Sequence, residues 1–89
     1  MKTNNSVVET VVAHIAMLNY TTDRLARLSQ LAHEQGFTVV ETLAAEPPIR
    51  SARLVVRGAS KLLSDFCMLA TLDLDEVVWV ARMETLAHA

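Results

Sequence analysis

The hydrophobic pattern changes period along the chain, and the changes mark six segments. Residues 7–18 are rich in β-branched side chains and nearly all apolar, interrupted by Glu9, Thr10 and His14, and so predict a strand. Residues 23–35 place Leu25, Leu28, Leu31 and Ala32 at helical spacing, with Arg24, Arg27, Gln30 and Glu34 elsewhere. The hydroxyl of Thr21 or Thr22 can cap that helix, and Asp23 suits the positive end of its dipole. Gly36 can take the positive φ that ends it. Residues 37–45, with Val39, Val40 and Leu43, read as a second strand stopped by Glu46-Pro47-Pro48, because proline offers a ladder no N–H. Residues 51–57 alternate, with Ala52, Leu54 and Val56 on one side and Ser51, Arg53, Val55 and Arg57 on the other. Gly58 is expected to break this strand and Ser60 to cap a second helix with the stripe Leu62, Leu63, Phe66, Leu69 and Ala70. Residues 76–83 read as the last strand, and the tail after Glu84 as loose.

The order strand, helix, strand, strand, helix, strand is the ferredoxin-like α+β plan, βαββαβ: a four-stranded antiparallel sheet with two helices on one face. Right-handed crossovers put the first and third strands at the centre and the others at the edges. With 89 residues the chain is one domain, 1–89, its ordered core spanning about 7–83.

Two helices cover only one face of such a sheet, and the other face of a solitary domain should be polar. The third strand obeys, with Arg53 and Arg57. The first does not. Val7, Val11, Ala13, Ile15 and Met17 lie on one face, and Val8, Thr10, Val12, His14, Ala16 and Leu18 on the other. The fourth strand also breaks the rule, with Val77, Trp79, Ala81 and Met83 against Val78, Val80 and Arg82. Soluble monomers rarely leave apolar patches beyond a few hundred Å² uncovered, and apolar edge strands invite pairing. Val12, His14, Val78, Trp79 and Val80 are therefore the expected interface residues, covered by a second copy or a partner subunit. The competing explanation is that central strands are simply apolar.

Composition narrows the function. Hydrophobic residues make up 52% of the chain and charged residues 20%, which excludes intrinsic disorder. The net charge of -2 gives no basic footprint for nucleic acid, and the first and third strands have no aromatic side chain on which a base could stack. The apolar run at 7–18 is too short and too polar to span a membrane, so the chain reads as a mature, cytoplasmic protein. The single Cys67 excludes an internal disulfide and reads as a small buried hydrophobe. His14, His33 and His88 show no metal-ligand spacing; His14 reads as a satisfied structural histidine and His33 as solvated. Asp73, Asp75 and Glu76 read as a solvated turn, and Arg50, Arg53 and Arg57 as a solvated stripe or an anion contact. No catalytic residue, metal site or cofactor site emerges. The loop Asn19-Tyr20-Thr21-Thr22-Asp23 is either an ordinary cap and turn or a place where a helix N-terminus holds the carboxylate of a small zwitterion.

Three passages resemble the ACT domain, a regulatory module that binds amino acids at domain interfaces. They are Ala16-Met17-Leu18-Asn19 leading through Leu25-Ala26-Arg27-Leu28, then His33-Glu34-Gln35-Gly36-Phe37-Thr38-Val39, then the stretch from Leu69 to Val80. The second is similar to the family's R-G-F-x-V passage, and the third to its L-x-K-L-x-D-V-x-x-V passage. Within the family, the chain looks most like the short small subunit of acetohydroxyacid synthase (acetolactate synthase). That resemblance implies a non-catalytic regulatory subunit that pairs as a homodimer and binds a large catalytic subunit of branched-chain amino-acid biosynthesis. It also implies a bound effector such as valine at Asn19, Tyr20, Thr21 and Thr22, with Thr38 and Val39 from the opposing copy. The family's Asn-x-Pro-Gly is replaced here by Asn19-Tyr20-Thr21-Thr22-Asp23. Two other readings stand beside this one. The first is a free-standing ACT-like homodimer that senses an amino acid. The second is a small ferredoxin-like hydrolase, which would need an arginine near the first strand; none lies between Met1 and Asp23.

Overall fold

A computed structural model describes residues 9–19, 21–44 and 51–86. Strand β1 is Thr10–Met17, helix α1 Thr22–Glu34, strand β2 Thr38–Ala44 and strand β3 Ala52–Ala59. A 3₁₀ turn, Ser60–Leu62, leads into helix α2, Leu63–Leu74, and strand β4 is Val78–Thr85. The strands form one antiparallel sheet in the order β2-β3-β1-β4, so β1 and β3 hold the centre as expected. The fold is ferredoxin-like α+β. Val7, Val8, Glu46, Pro47, Pro48, Arg50 and His88 lie outside the described residues.

Helix α1 begins where Thr21, in an extended conformation, accepts a hydrogen bond from the Arg24 N–H at 3.1 Å through its hydroxyl. It ends in a Schellman turn. Gly36 takes φ +94°, its N–H donates to His33 O at 3.1 Å, and the Phe37 N–H donates to Ala32 O at 2.9 Å. The turn delivers the Phe37 ring into the core, tilted against Phe66 with centroids 5.4 Å apart.

Helix α2 starts differently from the expectation. Neither the 3₁₀ turn nor the helix carries a side-chain cap, so Ser60 does not cap; its N–H donates instead to Glu9 O at 2.9 Å and ties the turn to the chain just before β1. The buried stripe is Leu63, Phe66, Ala70 and Leu74, a spacing of three and four that leaves Leu69 outside it and exposed. Thr71 Oγ1 accepts a hydrogen bond from the Val78 N–H at 3.1 Å and pins the end of α2 to β4.

The core lies between the helices and one sheet face. Val11, Ala13, Ile15 and Met17 of β1 are fully buried there, beside Leu54 and Val56 of β3 and against Leu28, Leu31 and Ala32 of α1. Gly58 does not break its strand. It sits inside β3 opposite Val11, where a Cβ would lie 2.4 Å from Phe37 Cδ1. The chain after Glu84 is also paired rather than loose: β4 runs through Thr85, and the Leu86 N–H donates to Thr10 O at 3.1 Å. Both edge strands carry an irregularity, between Val39 and Glu41 in β2 and opposite His14/Ile15 in β4.

Candidate functional site

Among the described residues, no helix covers the second face of the sheet. Register places on it Thr10, Val12, His14 and Ala16 of β1, Arg53, Val55 and Arg57 of β3, Trp79, Arg82 and Glu84 of β4, and Thr38, Glu41 and Leu43 of β2. The face is mixed: Val12, Ala16, Val55, Trp79 and Leu43 stand among Arg53, Arg57, His14, Arg82, Glu41 and Glu84, so the apolar second face expected from β1 and β4 is interrupted by charge. Ala16 and Val55 are only 6% and 7% exposed there. Trp79 stands opposite Ala16 at the β4 edge, 38% exposed. His14 lies between Val55 and Arg82, and its Nδ1 is buried with no hydrogen-bond partner among the described residues, so it is not the satisfied histidine expected. Arg82 pairs with Glu84 at 3.0 Å, whereas Arg53 and Arg57 make no ion pair among the described residues.

The five expected interface residues therefore divide. Val12, His14 and Trp79 are on the open face. Val78 is in the core and Val80 is packed against it, so both belong to the helix-covered side. The irregularity in β4 also reverses the expected alternation beyond Val80. Arg82 joins Trp79 on the open side, while Met83, opposite Ala13, turns to the helix side.

The loop between β1 and α1 has a defined shape. Asn19 adopts a left-handed φ of 49°, a conformation that asparagine tolerates. Its carbonyl accepts a hydrogen bond from Arg24 Nη1 at 3.1 Å, and the same nitrogen donates to Glu76 Oε1 at 3.1 Å. Thr21 spends its hydroxyl on the helix cap, Thr22 is exposed, and Tyr20 lies outside the described residues. Asp23 already places a carboxylate at the positive end of α1, where it competes with any incoming anion. Thr38 and Val39 are at the other end of the sheet. Thr38 pairs with Arg57, which pairs with Val12, whereas the loop follows Met17, which pairs with Ala52. Five strand residues separate Val12 from Met17, about 17 Å at the usual rise. One chain thus does not bring the two parts of the expected effector site together. A hollow of about 320 Å³ lies at the loop end of the sheet, lined by Leu43, Ala44, Ser51, Ala52 and Arg53.

The carboxylates after α2 are more than a solvated turn. Asp73 accepts from Arg27 Nε at 2.9 Å and Nη2 at 3.3 Å, and with the Arg24–Glu76 pair it clamps α1 to the end of α2. The hydrogen bond from Arg27 holds the Asp73 carboxyl below its ordinary pKa. Asp75 occupies the left-handed position that ends α2. Sequence reasoning missed the outer side of α2, where Met68, Leu69 and Leu72 are exposed with Val77 beyond, Leu72 at 74%. A second hollow of about 250 Å³ opens there, lined by Thr71, Leu72, Asp75, Glu76 and Val77. The signal was present: Met68 and Leu72 are apolar residues that the buried stripe does not use. Half-buried Cys67 packs against the core, and burial pushes its thiol pKa up, away from the reactive thiolate. Among the described residues, no group of three or more His, Cys, Asp or Glu could hold a metal ion, and no helix is long and apolar enough to cross a membrane.

Fold and surfaces define a small ferredoxin-like α+β domain whose open sheet face mixes apolar and charged side chains. Compared with known proteins, the chain matches no family model and no curated protein at a significant level.

Proposed function

We propose that this chain is a non-catalytic regulatory subunit of ACT type, which pairs with itself and docks on a cytoplasmic biosynthetic enzyme. Acetohydroxyacid synthase of branched-chain amino-acid synthesis is the enzyme the resemblance favours. The open sheet face supports this reading, because Val12, Ala16, Val55 and Trp79 lie on it and none of the described elements covers them.

The separation of the two effector passages supports the self-pairing. β2 is an exposed edge with Val40 and Leu43 in solvent. Antiparallel pairing of two β2 edges about a two-fold axis would carry Thr38 and Val39 of one copy towards the Ala44 end of the other. That end bears the 320 Å³ hollow and lies on the side of the Asn19–Thr22 loop. The volume falls in the range of small-molecule sites.

The test is to titrate the purified chain into the thiamine-diphosphate-dependent catalytic subunit of acetohydroxyacid synthase from the same source, measuring turnover and co-elution with and without valine, leucine or isoleucine. A stable complex with raised turnover is expected. Neither co-elution nor a change in rate would remove the regulatory reading. A ligand that binds only the folded chain raises its stability by about 2.7 kcal/mol at a hundred times Kd. Such a shift without the catalytic subunit would favour a free-standing sensor instead.

A further inference from the structure

We propose that a second copy of this chain covers the open sheet face by laying the outer side of its helix α2 across it. This goes beyond the regulatory reading and does not depend on it.

Two surfaces of the molecule that carry apolar side chains are opposite in charge. On the open face the apolar side chains are Val12, Ala16, Val55 and Trp79, of which Ala16 and Val55 are nearly buried. Its cations are Arg53, Arg57 and Arg82, with His14 beside Arg82; its anions are Glu41 and Glu84. Glu84 is taken by Arg82, and neither Glu41 nor Arg53 nor Arg57 makes an ion pair among the described residues. On the outer side of α2, Met68, Leu69 and Leu72 form a stripe continued by Val77. Asp65 stands at its start, three, four and seven residues before those side chains, and Asp75 at its end beside Leu72 and Val77. Neither aspartate makes an ion pair among the described residues.

The spacings also match. Arg53 and Arg57 are four strand residues apart, about 13 Å. Asp65 lies ten residues before Asp75, the residue that ends α2, about 15 Å at the helical rise. A helix laid along β3 therefore brings one carboxylate near each guanidinium and sets Met68, Leu69 and Leu72 over Val55, with Val12 and Ala16 on the next strand. The contact joins unlike surfaces, so a pair keeps one free helix side on one copy and one free sheet face on the other, and association continues past the dimer. The two-fold pairing of β2 edges uses neither surface.

Light scattering on the whole chain from low to high micromolar concentration tests this. Expected is a weight-average mass that climbs beyond twice 9.8 kDa and falls as salt is added. The surface variants Arg53→Glu/Arg57→Glu and Asp65→Lys/Asp75→Lys, each checked for folding by circular dichroism, should each lose association by about tenfold or more, since like charges then meet. Mixing the two restores association, because the unaltered helix side of one variant meets the unaltered sheet face of the other, and the two altered surfaces are again opposite in charge. A mass that does not rise in the unaltered chain, or two folded variants that stay apart when mixed, overturns the proposal. So does loss of the growth beyond a dimer in Val40→Lys, which would assign all association to the β2 edge.

Discussion

Replacing Gly58 by alanine adds one methyl group at a place where the fold has no room for it. A Cβ there would lie 2.4 Å from Phe37 Cδ1, 2.9 Å from Cε1 and 3.3 Å from Cγ. Carbon atoms in contact prefer about 3.5–4.0 Å, so the ring must move by more than an ångström. It is poorly placed to do so. Phe37 is 2% exposed, leans on Phe66, and has its backbone fixed by the bond to Ala32 O. Overpacking of a closed core costs about 1–3 kcal/mol. Restricting the unfolded chain by replacing glycine returns about 0.4–1 kcal/mol. The net loss is about 1–2 kcal/mol, and with about 4–8 °C per kcal/mol for a domain of this size, Tm should fall by roughly 4–16 °C.

Urea and thermal unfolding followed by circular dichroism measure the loss, and a double-mutant cycle with Phe37→Leu assigns it. If the ring is the obstacle, Gly58→Ala should cost less when Phe37 is already leucine, with a coupling energy of about 0.5–3 kcal/mol. Equal stability of Gly58→Ala and the unaltered chain would refute the close approach. So would the same cost in both backgrounds.

Two further outcomes follow from single bonds. Thr71→Val keeps the shape of the side chain but leaves the Val78 N–H without its acceptor, and should cost about 1–3 kcal/mol in urea unfolding while leaving the secondary structure intact. Because Arg27 lowers the folded-state pKa of Asp73, that pair stabilises the fold above the ordinary carboxylate value of 3.8 and its contribution is lost as pH falls through the lower folded value. In Arg27→Gln the Asp73 carboxyl should titrate higher, nearer 3.8, by NMR; an unmoved titration would show that the hydrogen bond is not its cause.

What could be read from the sequence is what depends on near neighbours along the chain. The cap at Thr21, the stop at Gly36 and the alternation of β1 and β3 all follow from residue type and spacing within a few positions, and the two central strands then fix the sheet order. Gly58 could not be read this way. Its neighbour Phe37 is 21 positions away, and only the folded pairing of β3 with the end of α1 makes a glycine necessary inside a strand. The α2 stripe was misjudged for a related reason. Leu69 and Leu74 are equally apolar, and the rotation of the helix that buries Leu74 is set by where the 3₁₀ turn starts it. The clamp of Arg24 and Arg27 on Glu76 and Asp73 is likewise a long-range contact between two helices, invisible to local pattern.

The open face shows why edge strands are harder to read than central ones. Strict alternation along β4 puts Trp79, Ala81 and Met83 together and leaves Arg82 with Val78 and Val80 on the core side. A charged arginine there would stand on the helix-covered side, away from the open face. The shift of register opposite His14/Ile15 changes that, sending Arg82 outward beside His14 and letting Met83 take the inward position opposite Ala13. In β2 the corresponding shift, between Val39 and Glu41, turns Glu41 to the open face beside Val55, while Val39 stays against the core. Both shifts deliver charge to the same open face. The surface available to another molecule is therefore set by the ladder of paired strands as well as by the order of residues, and a chain with the same composition but unbroken edge strands would offer a different face.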